Sequence, residues 1–160
     1  MTTTFGVIGF GRMGYRTVLA GRQAGMSLSA ILDSSAAPWG TTQDASLAPY
    51  LCTTLQDFLS KKPDVVAIST TADSHAALFT ALVEAGVKKI LVEKPVACSV
   101  GDGVDMAALA QANTVQVVVN HNHRGWEPLG RIKSFDGDPR FGRLTSIIIT
   151  QGAGGLGNLG

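Results

Sequence analysis

The residue types best suited to chemistry are Glu93, Lys94 and Pro95, which directly follow the apolar run 90–92. A lysine ammonium can polarise a carbonyl group or exchange a proton with an alcohol, as a hydride-transfer site requires. A neighbouring glutamate can bind a ribose hydroxyl, and the Lys94–Pro95 bond is a candidate for the cis form. The alternative is a solvent-exposed Glu-Lys pair ahead of a proline that starts a helix.

A second group lies near the start of the chain and has the spacing G-x-G-x-x-G: Gly9, Phe10, Gly11, Arg12, Met13 and Gly14. It follows the apolar run 5–8 and precedes apolar residues at helical spacing. In a strand–loop–helix order, Gly9 permits the tight turn, Gly11 lets backbone N–H groups approach a pyrophosphate, and Gly14 lets the helix pack on the strand. The motif predicts a dinucleotide site, and the alternative is an ordinary glycine-rich turn.

Asp33 follows a second apolar strand, 28–32, and lies 19 residues after Gly14. An acid at this place binds the 2′-hydroxyl of an adenosine ribose and repels a 2′-phosphate. Ser34 continues the same loop, which contains no compensating arginine. We therefore expect NAD as the cofactor, with NADP as the alternative because Arg12 or Arg16 could reach this region.

Polar side chains also follow two other predicted strands: they are Ser69, Thr70 and Thr71 after strand 64–69, and Asn120 after strand 115–119. Ligands of open α/β sheets bind outside the carboxyl ends of the strands. The threonine hydroxyls can therefore bind phosphate or ribose, or can simply satisfy the loop backbone. His75 begins a predicted helix and is either a cofactor contact or a residue of the helix cap.

The histidines and cysteines do not form a metal-ligand pattern. His121 and His123 alternate at a strand end, as zinc ligands can, but no third ligand has suitable spacing. Cys52 and Cys98 also lack ligand spacing and are expected to be reduced thiols. We predict no metal site.

The bulk composition excludes several classes of partner. The net charge is +1 over 160 residues, which argues against an electrostatic interaction with nucleic acid or acidic membranes. No apolar run approaches the length that spans a bilayer, and the N-terminus lacks the features of a signal peptide. With 45% hydrophobic and 16% charged residues, the chain should have a large core. We expect a cytoplasmic protein that acts on a small molecule.

The elements that must position these residues alternate between strand and helix. Apolar runs predict strands at 5–8, 28–32, 50–52, 64–69, 90–92 and 115–119. Helices are expected after Gly11 and over 103–112, with a loop at 34–42. Two more helices are expected after Thr54 and after Ser74, each of which is predicted to be the N-cap. This alternation predicts an α/β fold with a doubly wound parallel sheet.

The end of the chain differs in character. A short helix is predicted over 127–135 and a strand over 144–150, before a glycine-rich segment. We therefore expect a dinucleotide-binding domain over 1–124 and the beginning of a second, α/β domain over 125–160. An unpaired strand with three consecutive isoleucines invites self-association, so a homo-oligomer is expected.

Taken in order, the motifs at 9–14, 69–75, 93–95 and 120–128 resemble those of the Gfo/Idh/MocA oxidoreductases. The resemblance implies a Rossmann domain followed by an α/β substrate domain. It also implies NAD(P)-dependent oxidation or reduction of a sugar, a cyclitol or a related small polyol.

The resemblance also implies roles for individual residues. Lys94 would be the catalytic lysine and Glu93 would bind the nicotinamide ribose, with Asn120 near the nicotinamide. Arg124 would open the link to the second domain. The other implied cofactor contacts are the segment from Phe10 to Met13, Thr70, Thr71 and His75.

The sequence departs from the family pattern in two places. Thr71 stands where family members more often have proline. The family's Gly-x-His-x-x-Asp segment would begin just after Gly160 and is not in the sequence. The alternative function is therefore a non-catalytic NAD(H)-binding module or a subunit completed by a partner. A short-chain reductase of another Rossmann family lacks support, since the sequence has no Tyr-x-x-x-Lys pair.

Overall fold

The structure is a computed structural model and describes residues 2–121, 127–143, 145–146 and 148. The chain forms two compact units, Met1–His121 and Asn122–Gly160. The predicted domain boundary at 124/125, together with Arg124 and His123, lies outside the described residues and stays a prediction.

The first unit is built on one sheet of six parallel strands. Their bounds are Thr4–Ile8 (β1), Ser27–Leu32 (β2), Leu51–Cys52 (β3), Val65–Ile68 (β4), Lys89–Val92 (β5) and Gln116–Val119 (β6). Their order across the sheet is β3-β2-β1-β4-β5-β6. The chain therefore winds outward from β1 in one direction and from β4 in the other, which is the Rossmann topology. The predicted doubly wound sheet is confirmed.

Helices connect the strands. Their bounds are Arg12–Gln23 (α1), Trp39–Gln43 (α2), Leu55–Ser60 (α3), His75–Glu84 (α4), Val100–Ala112 (α5) and Glu127–Phe135 (α6). The loop predicted over 34–42 is wrong in part, because α2 begins at Trp39. The N–H of Gly40 donates to the carbonyl oxygen of Phe10 at 2.8 Å, which ties this short helix to the glycine segment.

The core lies on both faces of the sheet. Val7 of β1 belongs to a buried cluster with Phe10 and Val18, and this cluster lies on the α1 side. Its neighbour Ile8 belongs to a second cluster, which includes Phe79 of α4. Successive strand residues point to opposite faces, so the strands of a sheet covered on both sides read as continuous apolar runs. This explains why the strands were recognisable in the sequence.

The described part of the second unit is small. In α6, Arg131 pairs with Glu127 at 3.1 Å, one turn apart on the exposed surface. A turn follows in which the rings of Phe135 and Phe141 lie 5.1 Å apart. The predicted strand over 144–150 lies mostly outside the described residues, and no strand is assigned to residues 145, 146 and 148. Across the described ranges, no helix combines the length and apolar character needed to cross a membrane.

Candidate functional site

A crevice of about 760 Å³ opens at the carboxyl ends of the central strands, where β1 and β4 lie side by side. This is the point at which the winding direction reverses, the usual ligand site of such sheets. Its walls come from the loops after β1, β2, β3 and β4 and from the start of α4. The lining includes Gly9, Gly11, Asp33, Ser34, Thr70 and Thr71, all predicted as site residues.

The glycine loop has a geometry that other residues would not adopt. Gly9 has φ +87°, and a Cβ there would lie 2.8 Å from the backbone nitrogen of Thr70. A Cβ on Gly14 would overlap the carbonyl oxygen of Gly9. These glycines therefore bring the start of α1 against the loop, at the mouth of the crevice.

The N-terminus of α1 is open to an anion. Gly11 is its N-cap residue, no side chain caps it, and its first turn contains no acid among the described residues. By contrast, Thr54 caps α3 and Ser99 caps α5 with their side chains. The first N–H groups of a helix have no partner within the helix, so those at the start of α1, together with the helix dipole, can bind a phosphate.

Asp33 joins the end of β2 to the glycine loop. One carboxylate oxygen accepts the N–H of Phe10 at 2.5 Å, and the other accepts the N–H of Ser35 at 2.8 Å. Asp33 and the exposed Ser34 line the crevice. The carboxylate is therefore held in the wall of the crevice, next to the glycine loop.

The loop after β4 forms the opposite wall. The Ser74 hydroxyl lies 2.7 Å from Thr70 Oγ1 and donates to the Thr71 carbonyl oxygen at 2.9 Å. The hydroxyl of Thr71 donates to Asp73, and this bond holds the pKa of the Asp73 carboxyl below its ordinary value. Thr70 is half-buried in this network, whereas Thr71 is exposed.

Glu93 and Asn120 meet at the ends of β5 and β6. The Glu93 carboxylate is 5% exposed and accepts the Asn120 side-chain N–H at 2.5 Å. Its other oxygen accepts the backbone N–H of Lys94 at 3.3 Å. The Lys94 side chain is exposed, and its ammonium has no partner among the described residues. The peptide bond between Lys94 and Pro95 is cis.

Two predicted site residues are buried beneath the loops. Phe10 is fully buried; its ring lies 6.3 Å from that of Tyr15, so only its backbone is at the glycine loop. His75 is also fully buried, and its ring contacts the carbonyl oxygens of Thr70, Pro95 and Val96. A buried side chain can act on a ligand only through the residues that it holds.

Arg12 and Met13 lie at the start of α1, outside the lining of the crevice. The guanidinium of Arg12 is 5.9 Å from the centre of the Trp39 ring, a cation–π distance. Met13 is half-buried. Glu93, Lys94 and Asn120 also lie outside the lining, at the ends of strands farther along the sheet.

Sequence reasoning missed one wall of the crevice. Thr53, Thr54 and Leu55 follow β3, and Leu78 of α4 faces the same space. The signal was available, because β3 was expected over 50–52 and its carboxyl end had to lie at the same edge of the sheet. Thr54 was assigned only as a helix cap, which it also is, accepting the N–H of Asp57 at 3.1 Å.

The thiols and potential metal ligands are dispersed. Burial raises the pKa of the Cys52 thiol, and Cys98 is exposed. In the ranges that the structure covers, no three His, Cys, Asp or Glu side chains are grouped to hold a metal ion.

Comparison with known proteins identifies relatives of the first unit. The family described as an oxidoreductase family with an NAD-binding Rossmann fold, Gfo/Idh/MocA, matches residues 3–121. A 1-carboxy-3-chloro-3,4-dihydroxycyclohexa-1,5-diene dehydrogenase of Comamonas testosteroni is 37% identical over 91 residues. That region covers 56% of this chain and 23% of the dehydrogenase.

Two solved structures have a similar fold at 25% identity. An NAD-binding protein from Listeria innocua gives a TM-score of 0.73 over 84% of this chain and 40% of its own. GenD2 from gentamicin A biosynthesis, in complex with NAD, gives a TM-score of 0.66 over 74% of this chain and 34% of its own. The chain thus spans less than half the length of these relatives. On the match over residues 3–121, the chain belongs to the Gfo/Idh/MocA oxidoreductase family and contains its NAD-binding Rossmann domain.

Proposed function

We propose that this chain is the cofactor-binding part of an NAD-dependent oxidoreductase. The enzyme would transfer a hydride between the nicotinamide and a CH–OH carbon of a sugar, a cyclitol or a related small polyol. The observation that carries the proposal is the crevice at which the open N-terminus of α1, Asp33 and Thr70 meet.

The residues of the crevice have distinct tasks in binding. The N–H groups at the start of α1 attract the two phosphates of the dinucleotide. The Asp33 carboxylate accepts hydrogen bonds from ribose hydroxyls and repels a 2′-phosphate, which favours NAD over NADP. When bound, NAD supplies the carbon that gives or accepts the hydride.

Lys94 is the residue that we assign to proton transfer. Its side chain is exposed next to the buried Glu93, at the same edge of the sheet as the crevice. In alcohol oxidation its amine form would take the hydroxyl proton, and in carbonyl reduction its ammonium would return that proton. Glu93 binds both the Lys94 N–H and Asn120, so it holds this strand end in place.

The substrate class rests on this chemistry and on one relative. The name of the Comamonas testosteroni dehydrogenase describes a six-membered carbon ring with two hydroxyl groups. Sugars and cyclitols present the same kind of ring alcohol to a proton acceptor such as Lys94. Other small polyols present the same group without a ring.

The first test is NADH binding to the 160-residue chain, followed by nicotinamide fluorescence or calorimetry. We expect Asp33→Ala to weaken NADH binding by about ten-fold, because the ribose loses a charged acceptor. Asp105→Ala is the matched control, since Asp105 is exposed on α5 and away from the crevice. Tighter binding of NADPH than of NADH would contradict the choice of NAD.

The role of Lys94 needs a protein that turns over substrate. In an intact family member with the same Glu-Lys-Pro segment, alanine at the lysine should leave NADH affinity unchanged. The substitution should lower kcat by about 100-fold or more, the usual contribution of a general acid–base residue. Unchanged turnover would remove Lys94 from the mechanism.

The second candidate is a non-catalytic NAD(H)-binding module or a subunit completed by a partner. It is supported by the family match, which identifies an NAD-binding Rossmann domain over residues 3–121, a unit that can bind NAD(H) with or without catalysis. If the chain binds NADH but oxidises no sugar or cyclitol by itself, this candidate gains support. Turnover by the chain alone would exclude it.

A further inference from the structure

His75 connects two loops that follow different strands. It is the first residue of α4, and its side chain is fully buried. Its Nδ1 lies 3.1 Å from the carbonyl oxygen of Pro95 and 3.3 Å from that of Val96. On the opposite side of the ring, Nε2 lies 3.2 Å from the carbonyl oxygen of Thr70.

The partners of the ring are all acceptors, so each contact requires His75 to donate. A neutral imidazole has one N–H and donates to one side at a time, whereas the doubly protonated ring donates to both. Among the described loop and cap contacts, no backbone N–H donates to the carbonyls of Thr70, Pro95 or Val96. These contacts are part-buried, and His75 is the side chain placed to donate to either loop.

The two loops have different tasks in the site. Thr70 belongs to the wall of the cofactor crevice. Pro95 and Val96 directly follow Lys94, whose exposed side chain has no described partner to hold its loop. The His75 ring lies behind both loops and touches each through the main chain.

We propose that His75 is a positioning residue that fastens the loop carrying Lys94 to the wall of the cofactor crevice. The consequence for catalysis rests on the proposed function, because Lys94 needs a fixed place only relative to a bound nicotinamide. The two nitrogens face separate loops: Nδ1 lies against the lysine loop and Nε2 against the crevice loop, and the ring can hydrogen-bond to one while it packs against the other.

Two amide substitutions separate the two sides of the ring. In His75→Asn, the side-chain nitrogen can take the place of Nδ1 but is too short to reach the Thr70 carbonyl. In His75→Gln, the longer side chain can place its nitrogen near the position of Nε2. His75→Leu keeps a similar volume and donates to neither loop. Thr80→Val is the control, since it removes a hydrogen bond to the Ala76 carbonyl within the same helix.

The readouts are backbone ¹⁵N order parameters of the 160-residue chain without cofactor, and the NADH dissociation constant. In His75→Gln and His75→Leu, we expect the order parameters of residues 96–98 to fall from about 0.85 to below about 0.6. In His75→Asn and His75→Leu, residues 70–72 should loosen in the same way. These two variants should also weaken NADH binding by about five-fold, the effect of one net hydrogen bond. Thr80→Val should change neither loop.

A positioning role predicts that the Asn and Gln variants loosen different loops, whereas general destabilisation would loosen both loops in both variants. If His75→Leu leaves both loops as rigid as in the wild type, the ring only fills space and the proposal is overturned. Equal loosening of both loops in the Asn and Gln variants would also overturn it. The wild-type chain could fail to bind NADH while the Asn and Gln variants still loosen different loops. In that case the proposed function fails and the positioning role stands.

Discussion

Gly11 and Gly14 belong to the same loop but have opposite surroundings. A Cβ on Gly14 would overlap the Gly9 carbonyl oxygen, whereas a Cβ on Gly11 would meet nothing within 4 Å. Gly14 is therefore required by the packing of α1, and the space beside Gly11 is available to a ligand.

This difference predicts two distinct phenotypes. Gly14→Ala should lower the free energy of unfolding by about 1–3 kcal/mol, the usual cost of forcing extra volume into a packed site. Gly11→Ala should cost less than about 1 kcal/mol, the typical difference at an N-cap. The second variant should instead weaken NADH binding, because its methyl group projects into the open space. Urea denaturation and NADH titration measure the two effects.

The unfolding free energies of the two variants test whether Gly11 differs from Gly14 in its role. If Gly11→Ala unfolds as easily as Gly14→Ala, the loop cannot adapt at Gly11 and the space there is not a ligand site.

At the residue scale, the sequence located side chains whose place depends on strand order alone. Asp33 and Thr70 had to lie at the crevice because each follows an apolar strand of a parallel sheet. Burial of Phe10 and His75 could not be predicted, since it depends on what packs over them. Phe10 is covered by α2, which was expected to be a loop, and His75 by a turn 20 residues later.

Among the elements, β1 and β4 are tied together at their amino ends. The N–H and the hydroxyl of Thr4 both donate to Asp64 Oδ2, at 2.7 and 2.9 Å. The N–H of Asp64 donates back to the Thr4 hydroxyl at 3.1 Å. These bonds hold the pKa of the Asp64 carboxyl below its ordinary value of 3.8.

The tie predicts a pH-dependent contribution to stability. The folded-state pKa of Asp64 is lower than the unfolded one, so the contribution is present above pH 3.8 and is lost as pH falls through the lowered value. Asp64→Asn should therefore be less stable than the wild type at pH 7. The difference should shrink below pH 3.8, as measured by urea midpoints at each pH.

Thr4→Val is the matched variant, because it keeps the backbone N–H that donates to Asp64 and loses only the hydroxyl. Thr4→Val should lose less unfolding free energy than Asp64→Asn, and its loss should depend on pH in the same direction. A stability difference for Asp64→Asn that does not change with pH would refute the ionic origin of the effect.

Helix boundaries were predicted less well than strands. The helix expected over 103–112 begins at Val100, because the Ser99 hydroxyl accepts the N–H of Asp102 at 3.0 Å and caps the helix three residues earlier. This start was not predicted because the first turn contains two glycines, which have low helix propensity. Ser74 is expected to cap α4, but its hydroxyl donates to the Thr71 carbonyl oxygen and contacts Thr70 Oγ1 instead. A serine before a helix has both options, and the sequence alone does not choose between them.

For the whole molecule, the outer strand β6 suggests how copies could associate. Among the described residues it pairs only with β5. Val118 on this strand is 61% exposed. An exposed apolar edge is a template for pairing with another chain. The homo-oligomer predicted from the sequence thus stays a prediction, with β6 as a second candidate surface besides residues 144–150.

We expect the chain to sediment as a dimer or larger assembly at tens of micromolar, an order-of-magnitude choice for weak interfaces. Val118→Lys should shift the equilibrium toward the monomer, since a charged edge resists pairing. Val104→Lys is the control, because Val104 is 60% exposed on α5 and away from the strand edge. A strict monomer at that concentration would count against self-association, and equal effects of the two substitutions would exclude β6.

The central position of β1 in the sheet also determines when its two edges can pair during synthesis. Its two neighbours are β2, which begins at Ser27, and β4, which begins at Val65. During synthesis on the ribosome, β1 and β2 emerge together, but one side of β1 stays unpaired until Val65–Ile68 has left the exit tunnel. Until then, one edge of the central strand is exposed in the nascent chain. An unpaired strand edge of this kind is a site of aggregation before folding is complete.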